Sequence, residues 1–255
     1  MNSIPAANPF APPRSDLLHR PAPAQPAPSI EEALARGYDF SIGGLLGEAW
    51  GNTRGIKWPI IAGFLAFYAV LFAAAFVLAF ILAGAGLIGH DSLLAGVAGQ
   101  LLLSLLIGVL TYPFFAGILM IGIRRAAQQP VGVGLVFGYF GHTLALAITG
   151  MLVTVLVYLG TLLLILPGIY LGVAYLLAMA LVVERGLSPW QAMEASRQAI
   201  SQHWFKVFGL LLLLGAILLV SALPLGIGLI WSLPLSVAAL GVLYREIFGV
   251  LPAAD

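Results

Sequence analysis

The chain has 255 residues; 61% are hydrophobic, 8% are charged, and the formal net charge is +1 with a mean hydropathy of +1.06. Soluble domains carry about 25% charged residues, so this composition excludes a water-facing globule, and no basic stretch with interleaved aromatics supports nucleic-acid binding. The lack of cysteine excludes disulfides, thiolate chemistry, Cys-ligated metal and palmitoylation.

Residues 1–29 hold eight of the sixteen prolines. The Ala-Pro alternation of Pro21 to Pro28 predicts a disordered, polyproline-like cytoplasmic tail, with docking of a proline-reading domain as the sharper alternative. No basic stretch followed by an apolar one opens the chain, so no cleavable signal peptide is expected. Ser29 is the predicted N-cap of a short helix over Ile30–Arg36, closed by Gly37. A second stretch, Ser41 to Arg54, places Ile42, Leu45, Leu46 and Ala49 on one side, although its four glycines weaken helix formation. Residues 30–56 are read as cytoplasmic interfacial helices.

Residues 57–250 form the predicted membrane domain. A crossing helix needs about 20 apolar residues, and six such segments are expected. The first spans 58–83. The second, 97–123, lies in an apolar run from Leu93 that is longer than a straight crossing needs, with a kink expected at Pro113. The run over 144–183 is too long for one crossing, and Pro167-Gly168 is the expected turn that divides it into spans 143–166 and 168–183. The fifth and sixth spans are 204–223 and 226–244, separated by Pro224 and Gly226. Residues 251–255 are a cytoplasmic terminus.

Between spans four and five a surface helix is predicted over 188–202. Ser188, Pro189 and Gln191 are a cap, a first-turn proline and a capping-box partner. Trp190, Met193, Ile200 and Trp204 share one side; Gln191, Glu194, Gln198, Ser201 and Gln202 share the other. Arg197 falls among the apolar set, where its stem can snorkel. The interfacial anchors expected here and earlier are Trp50, Trp58, Trp190, Arg197 and Trp204. Ser41–Trp58 and Ser188–Trp204 share one order: capping serine, surface helix, tryptophan, span. With Val131–Gly141 as a degenerate third copy, three surface-helix-plus-hairpin units are read.

All eleven Lys and Arg residues fall in alternate gaps between apolar runs. This is the positive-inside pattern, and it places both termini in the cytoplasm. Merging spans three and four would put Arg185, Arg197, Lys206 and Arg245 outside, which favours six spans.

The stretch "PGIYLGVAYLLAMALVVERGLSPWQAMEASRQAISQHWFKVFGLLLLLG" and the later "LPLSVAALGVLYREIFG" resemble a broad group of bacterial six-span membrane proteins. That group includes the membrane domain attached to some glycerophosphoryl diester phosphodiesterases. The likeness rests on Pro167, Gly168, Glu184, Leu187, Ser188, Pro189, Ala192, Ser196, Trp204, Tyr244 and Arg245, with a weaker echo in "FSIGGLLGEAW". It implies the fold and a bacterial inner-membrane setting. It implies no phosphodiesterase activity, because that chemistry belongs to a separate soluble barrel, and no catalytic residue carries over.

No predicted span holds Asp, Glu, Lys or Arg in its interior, which argues against an ion or proton carrier. Phosphate-loop, His-Glu-x-x-His and Gly-x-Ser-x-Gly motifs are missing, and Gly132-Val-Gly134-Leu-Val-Phe-Gly138 has the wrong spacing for a dinucleotide fingerprint. His90-Asp91 is two residues, not a metal site. Glu184-Arg185 and Arg245-Glu246 are read as interfacial anchors at span ends. Ala75, Ala79 and Ala83 form a small-residue stripe on span one. Tyr68, Tyr112, Tyr158 and Tyr175 each fall near the middle of a different span, where a hydroxyl needs a partner. Ordinary packing is one reading; a shared polar cavity is the other. No cofactor or metal is expected, and the partners are the lipid bilayer and undefined membrane proteins. The function read from the residues is a non-enzymatic support or organising role in the envelope; the alternative is a carrier or lipid-handling protein with a mid-membrane cavity.

Overall fold

A computed structural model describes residues 27–86 and 93–252. The fold is all-α, with no strand among the described residues, and six segments are long and apolar enough to cross a membrane: Lys57–Gly84, Ile107–Ala126, Val133–Leu163, Ile165–Arg185, Trp204–Ala222 and Leu229–Phe248. The expected tail and the His90-Asp91 loop lie outside the described residues, apart from residues 27–29.

Helix α1 (Ile30–Arg36) opens on Ser29, whose hydroxyl accepts from the Glu32 amide while the Glu32 carboxylate accepts from the Ser29 amide. Two otherwise orphaned amides are thus satisfied. Helix α2 (Ile42–Asn52) opens on Ser41 and buries Leu45, Ala49 and Asn52, with Gly43, Gly47 and Gly51 facing open space. α3 (Lys57–Gly84) is the first span. α4 (Leu93–Ala126) is 34 residues long, about 51 Å at 1.5 Å per residue, and runs through Pro113.

The segment before span three is not a third surface helix. It forms two 3-10 turns, Val133–Phe137 and Phe140–His142, since Gly132, Gly134, Gly138 and Gly141 leave too little helix propensity for an α-helix. Val136 is fully buried and wedges between α3 and α4. A Cβ on Gly63 would stand 2.8 Å from Val136 Cγ2, and one on Gly117 would stand 2.7 Å from the Val136 carbonyl carbon. Nearby, Phe67 of α3 stacks on Phe114 of α4 at 3.9 Å between centroids.

α5 (Thr143–Leu163) and α6 (Ile165–Ala174) form a hairpin whose turn is the single extended residue Leu164, not Pro167-Gly168. Pro167 lies in the first turn of α6, where a missing amide costs no intrahelical bond. Gly168 serves close packing: a Cβ there would lie 2.8 Å from Thr161 Cα. The fourth span also differs from expectation in running over 165–185 and in being broken. α6 stops at Ala174 and α7 (Ala178–Arg185) resumes after Tyr175–Leu177. Gly186, left-handed at φ 64°, ends α7 and turns the chain back.

α8 (Pro189–Gln202) then runs back along α7 and α6. Ser196 reaches Ala174 and Leu177, and Ser201 bonds Tyr170 at 2.7 Å. Its buried side is Ala192, Met193, Ala195, Ser196, Ala199 and Ile200, covered by protein. α9 (Trp204–Ala222) follows. Leu225 and Gly226 take positive φ in the turn after it, as Pro224 and Gly226 had indicated. α10 (Leu229–Phe248) starts and ends later than the predicted 226–244 and is the hub, packing on α4, α2, α9, α3 and α1. Where α4 meets α10 the backbones touch: a Cβ on Gly241 would lie 2.7 Å from the Ile123 amide nitrogen.

The α9–α10 turn stops short of the far end of α3. Gly226, Leu229, Ile230 and Leu233 face Ile61, Phe64, Leu65 and Tyr68 across a groove, and the Lys57 ammonium lies 5.7 Å from the Trp231 ring centroid. Residues 69–84 of α3 run on beyond this point.

Candidate functional site

Two places concentrate chemistry. The first is the end of the bundle where α4, α7 and α10 finish. Glu184 Oε2 accepts from the Tyr244 hydroxyl at 2.6 Å and lies 2.7 Å from Arg185 Nε; Glu184 Oε1 accepts from the Leu251 amide at 2.6 Å. The Glu184–Arg185 side chains are 4% and 7% exposed, so this is a buried ion pair rather than the expected interfacial anchor. Arg185 donates onward to the Pro28 carbonyl at 2.9 Å and to the Phe248 carbonyl, tying both ends of the described chain to α7. Arg245, also expected at an interface, pairs with Glu48 and Glu246 and donates to the Ala126 carbonyl at 2.9 Å. Arg36 donates to the Glu246 and Ile247 carbonyls, and Arg125 to the Asn52 carbonyl. Lys206 pairs with Asp39, and this bond holds the Asp39 carboxyl below its ordinary range. Next to Asp39, burial pushes the Tyr38 hydroxyl up to about 12.

A cavity of about 230 Å³ lies within this end, lined by Met120, Arg124, Gln129, Tyr139, Val183, Glu184 and the strap Val250–Pro252. Gln129 Nε2 holds the strap through the Leu251 carbonyl at 2.7 Å.

The second place is the break in span four. Ser196 is fully buried; its hydroxyl donates to the Ala174 carbonyl at 2.8 Å and accepts from the Leu177 amide at 3.2 Å. One side chain therefore satisfies two of the backbone groups that the interrupted helix frees. The break sets Leu176 beside Met179 in the wall of a half-enclosed pocket of about 290 Å³. The rest of its lining is Phe64, Phe115, Ile118, Leu119, Leu233, Ser236, Val237 and Leu240. Ser236 is its one polar side chain, and that hydroxyl is already donated to the Ser232 carbonyl at 2.8 Å.

The four tyrosines occupy four different settings. Tyr68 lines the α3–α10 groove. Tyr112 packs on Gly150, where a Cβ would lie 2.7 Å from its Cδ1. Tyr158 is 73% exposed. Tyr175 sits in the break between α6 and α7. Of the tryptophans, Trp50, Trp58 and Trp190 are exposed, whereas Trp204 donates to the Tyr170 carbonyl and stacks on Phe208. Arg197 makes a two-armed contact to Glu194, at 2.6 and 2.9 Å, and this holds the Glu194 carboxyl down at about 2. No group of metal-ligating side chains is found among the described residues. Comparison with protein-family models, with curated proteins and with solved structures finds no match to this chain.

Proposed function

We propose that this is a multi-pass protein of the bacterial inner membrane, with both termini cytoplasmic, that holds the hydrocarbon part of a lipid or small amphiphile between its spans without enzymatic chemistry. The observation that carries the reading is the apolar pocket beside the broken span. Pockets of this kind, concave and apolar with few polar groups, are the usual form of small-ligand sites. Interrupted helices are where membrane carriers build such sites. The orientation is supported by Arg36, Arg125, Arg185, Lys206 and Arg245, whose bonds gather at one end of the bundle, as charge sorting across a membrane requires.

The test is photolabelling of the full chain in phosphatidylcholine vesicles carrying a diazirine near the acyl terminus. Cross-links on peptides bearing Phe115, Leu176 and Met179 are expected above those on Leu162–Leu166, whose residues are 68–84% exposed. Ser236→Phe, which fills the pocket, removes that excess. Equal labelling of wild type and Ser236→Phe overturns the reading and leaves the support or organising role.

A further inference from the structure

We propose a second ligand site, independent of the apolar pocket: the cavity under the C-terminal strap takes a singly charged phosphodiester. The argument is one of charge. Glu184 and Arg124 both line the cavity. Both carboxylate oxygens of Glu184 are engaged, by Tyr244, Arg185 and the Leu251 amide. Its charge is therefore matched by Arg185 within a buried pair. Among the described residues Arg124 is in no ion pair. The neighbouring Arg125 turns the other way, to Asn52. The guanidinium of Arg124 is thus the uncompensated charge of the cavity. Tyr139, 8% exposed, lines the same cavity from a different element.

A guanidinium fork and a hydroxyl approaching from a different element suit a tetrahedral oxyanion. One net positive charge in a partly desolvated cavity matches one negative charge, which selects the diester over a dianionic monoester. The apolar walls Met120 and Val183 accept the carbon substituents, and a volume of about 230 Å³ has room for a small esterified head. The cavity sits at the last turn of the apolar stretch Ile107–Ala126, where membrane lipids carry their phosphates. A lipid headgroup and a free phosphodiester share this chemistry.

The experiment uses the purified full chain in detergent, with dioleoyl phosphatidylglycerol, dioleoyl phosphatidylcholine and soluble glycerophosphoglycerol as probes. Native mass spectrometry reads lipid adducts, and phosphorus NMR reads the soluble diester. Wild type is expected to retain phosphatidylglycerol about ten-fold or more over Arg124→Gln, the loss typical of one charged hydrogen-bonding partner. Arg54→Gln, a basic residue outside the cavity, is expected to match wild type. Phosphatidylcholine, which carries its own cation, is expected to bind less well than phosphatidylglycerol. Binding of the soluble diester assigns the site to a free ligand as well as to lipid; binding of the lipid alone assigns it to the membrane. Val183→Phe, which fills the cavity and keeps Arg124, must also lose the adduct, and it decides the matter if Arg124→Gln does not fold. Retention of phosphatidylglycerol at wild-type levels by a folded Arg124→Gln or by Val183→Phe overturns the proposal. Failure here leaves the apolar pocket untouched, since Ser236→Phe addresses a different cavity.

Discussion

Ser196→Ala removes one oxygen and leaves two buried backbone groups without partners. The hydroxyl bonds the Ala174 carbonyl at 2.8 Å and the Leu177 amide at 3.2 Å, at a position with no solvent exposure. A buried group left unsatisfied costs about 1–3 kcal/mol. With one donor and one acceptor affected, the expected loss is about 2–4 kcal/mol, at the lower end if the carbonyl relaxes toward a neighbouring amide. Unfolding of the full chain in mixed micelles, followed by tryptophan fluorescence, reads the change. Ser201→Ala is the matched control: it lies on the same helix, and its bond to Tyr170 is exposed, so less than about 0.5 kcal/mol is expected. Hydrogen exchange at the Leu177 amide should accelerate in Ser196→Ala and stay unchanged in Ser201→Ala. If Ser196→Ala matches its control in stability and Leu177 stays protected, the hydroxyl does not hold the broken span together.

Gly241→Ala sets a methyl group 2.7 Å from the Ile123 amide nitrogen, so α4 and α10 must part by several tenths of an ångström; a loss of about 1–3 kcal/mol is expected in the same assay, and a wild-type midpoint would refute the close crossing. The Glu194 carboxyl is held down at about 2 from 4.5 chiefly by its hydrogen bond to Arg197, so the stability it lends is complete above pH 4.5 and lost as pH falls through about 2. Because both side chains are more than a third exposed, that contribution stays below about 1 kcal/mol; carbon-detected NMR should find the low midpoint and see it rise in Arg197→Gln. Single cysteines placed on this cysteine-free chain should react from the periplasmic side at position 164 and from the cytoplasmic side at position 128; the reverse pattern would invert the proposed orientation.

Segment boundaries were legible wherever caps or composition mark them. Ser29, Ser41 and Ser188 start helices as their hydroxyls dictate, and Pro224-Leu225-Gly226 turns the chain. The break at Tyr175–Leu177 was not legible, because it holds no proline or glycine and depends on a hydroxyl nineteen residues away from Leu177. Pro167-Gly168 misled for a related reason: glycine there answers to Thr161 across the hairpin, a tertiary demand that reads locally as a turn. Glu184, Arg185 and Arg245 were placed at the right end of their spans. Their burial could not be read, since it arises from residues 28, 48, 126, 244 and 251 converging from elsewhere in the chain. Gly168, Glu184, Ser196, Tyr244 and Arg245 each make an interhelical contact. The polar cavity could have been sought by asking which arginine lacks an acidic neighbour in sequence. Arg124 and Arg125 both qualify, with no Asp or Glu between Asp91 and Glu184, and only the fold, which sends Arg125 to Asn52, tells them apart.

The uneven reach of the hairpins has a consequence for the lipid around them. Beyond the α9–α10 turn, residues 69–84 of α3 continue for about 24 Å. A hydrocarbon slab about 30 Å thick cannot match a tall wall and a low one at the same perimeter, and each ångström of mismatch costs a fraction of a kcal/mol. The annulus beside the low wall must dimple, and shorter or more disordered chains fill a dimple at least cost. In a bilayer whose normal follows α3, the lipid shell would be thinner beside the groove at Tyr68 than beside residues 69–84.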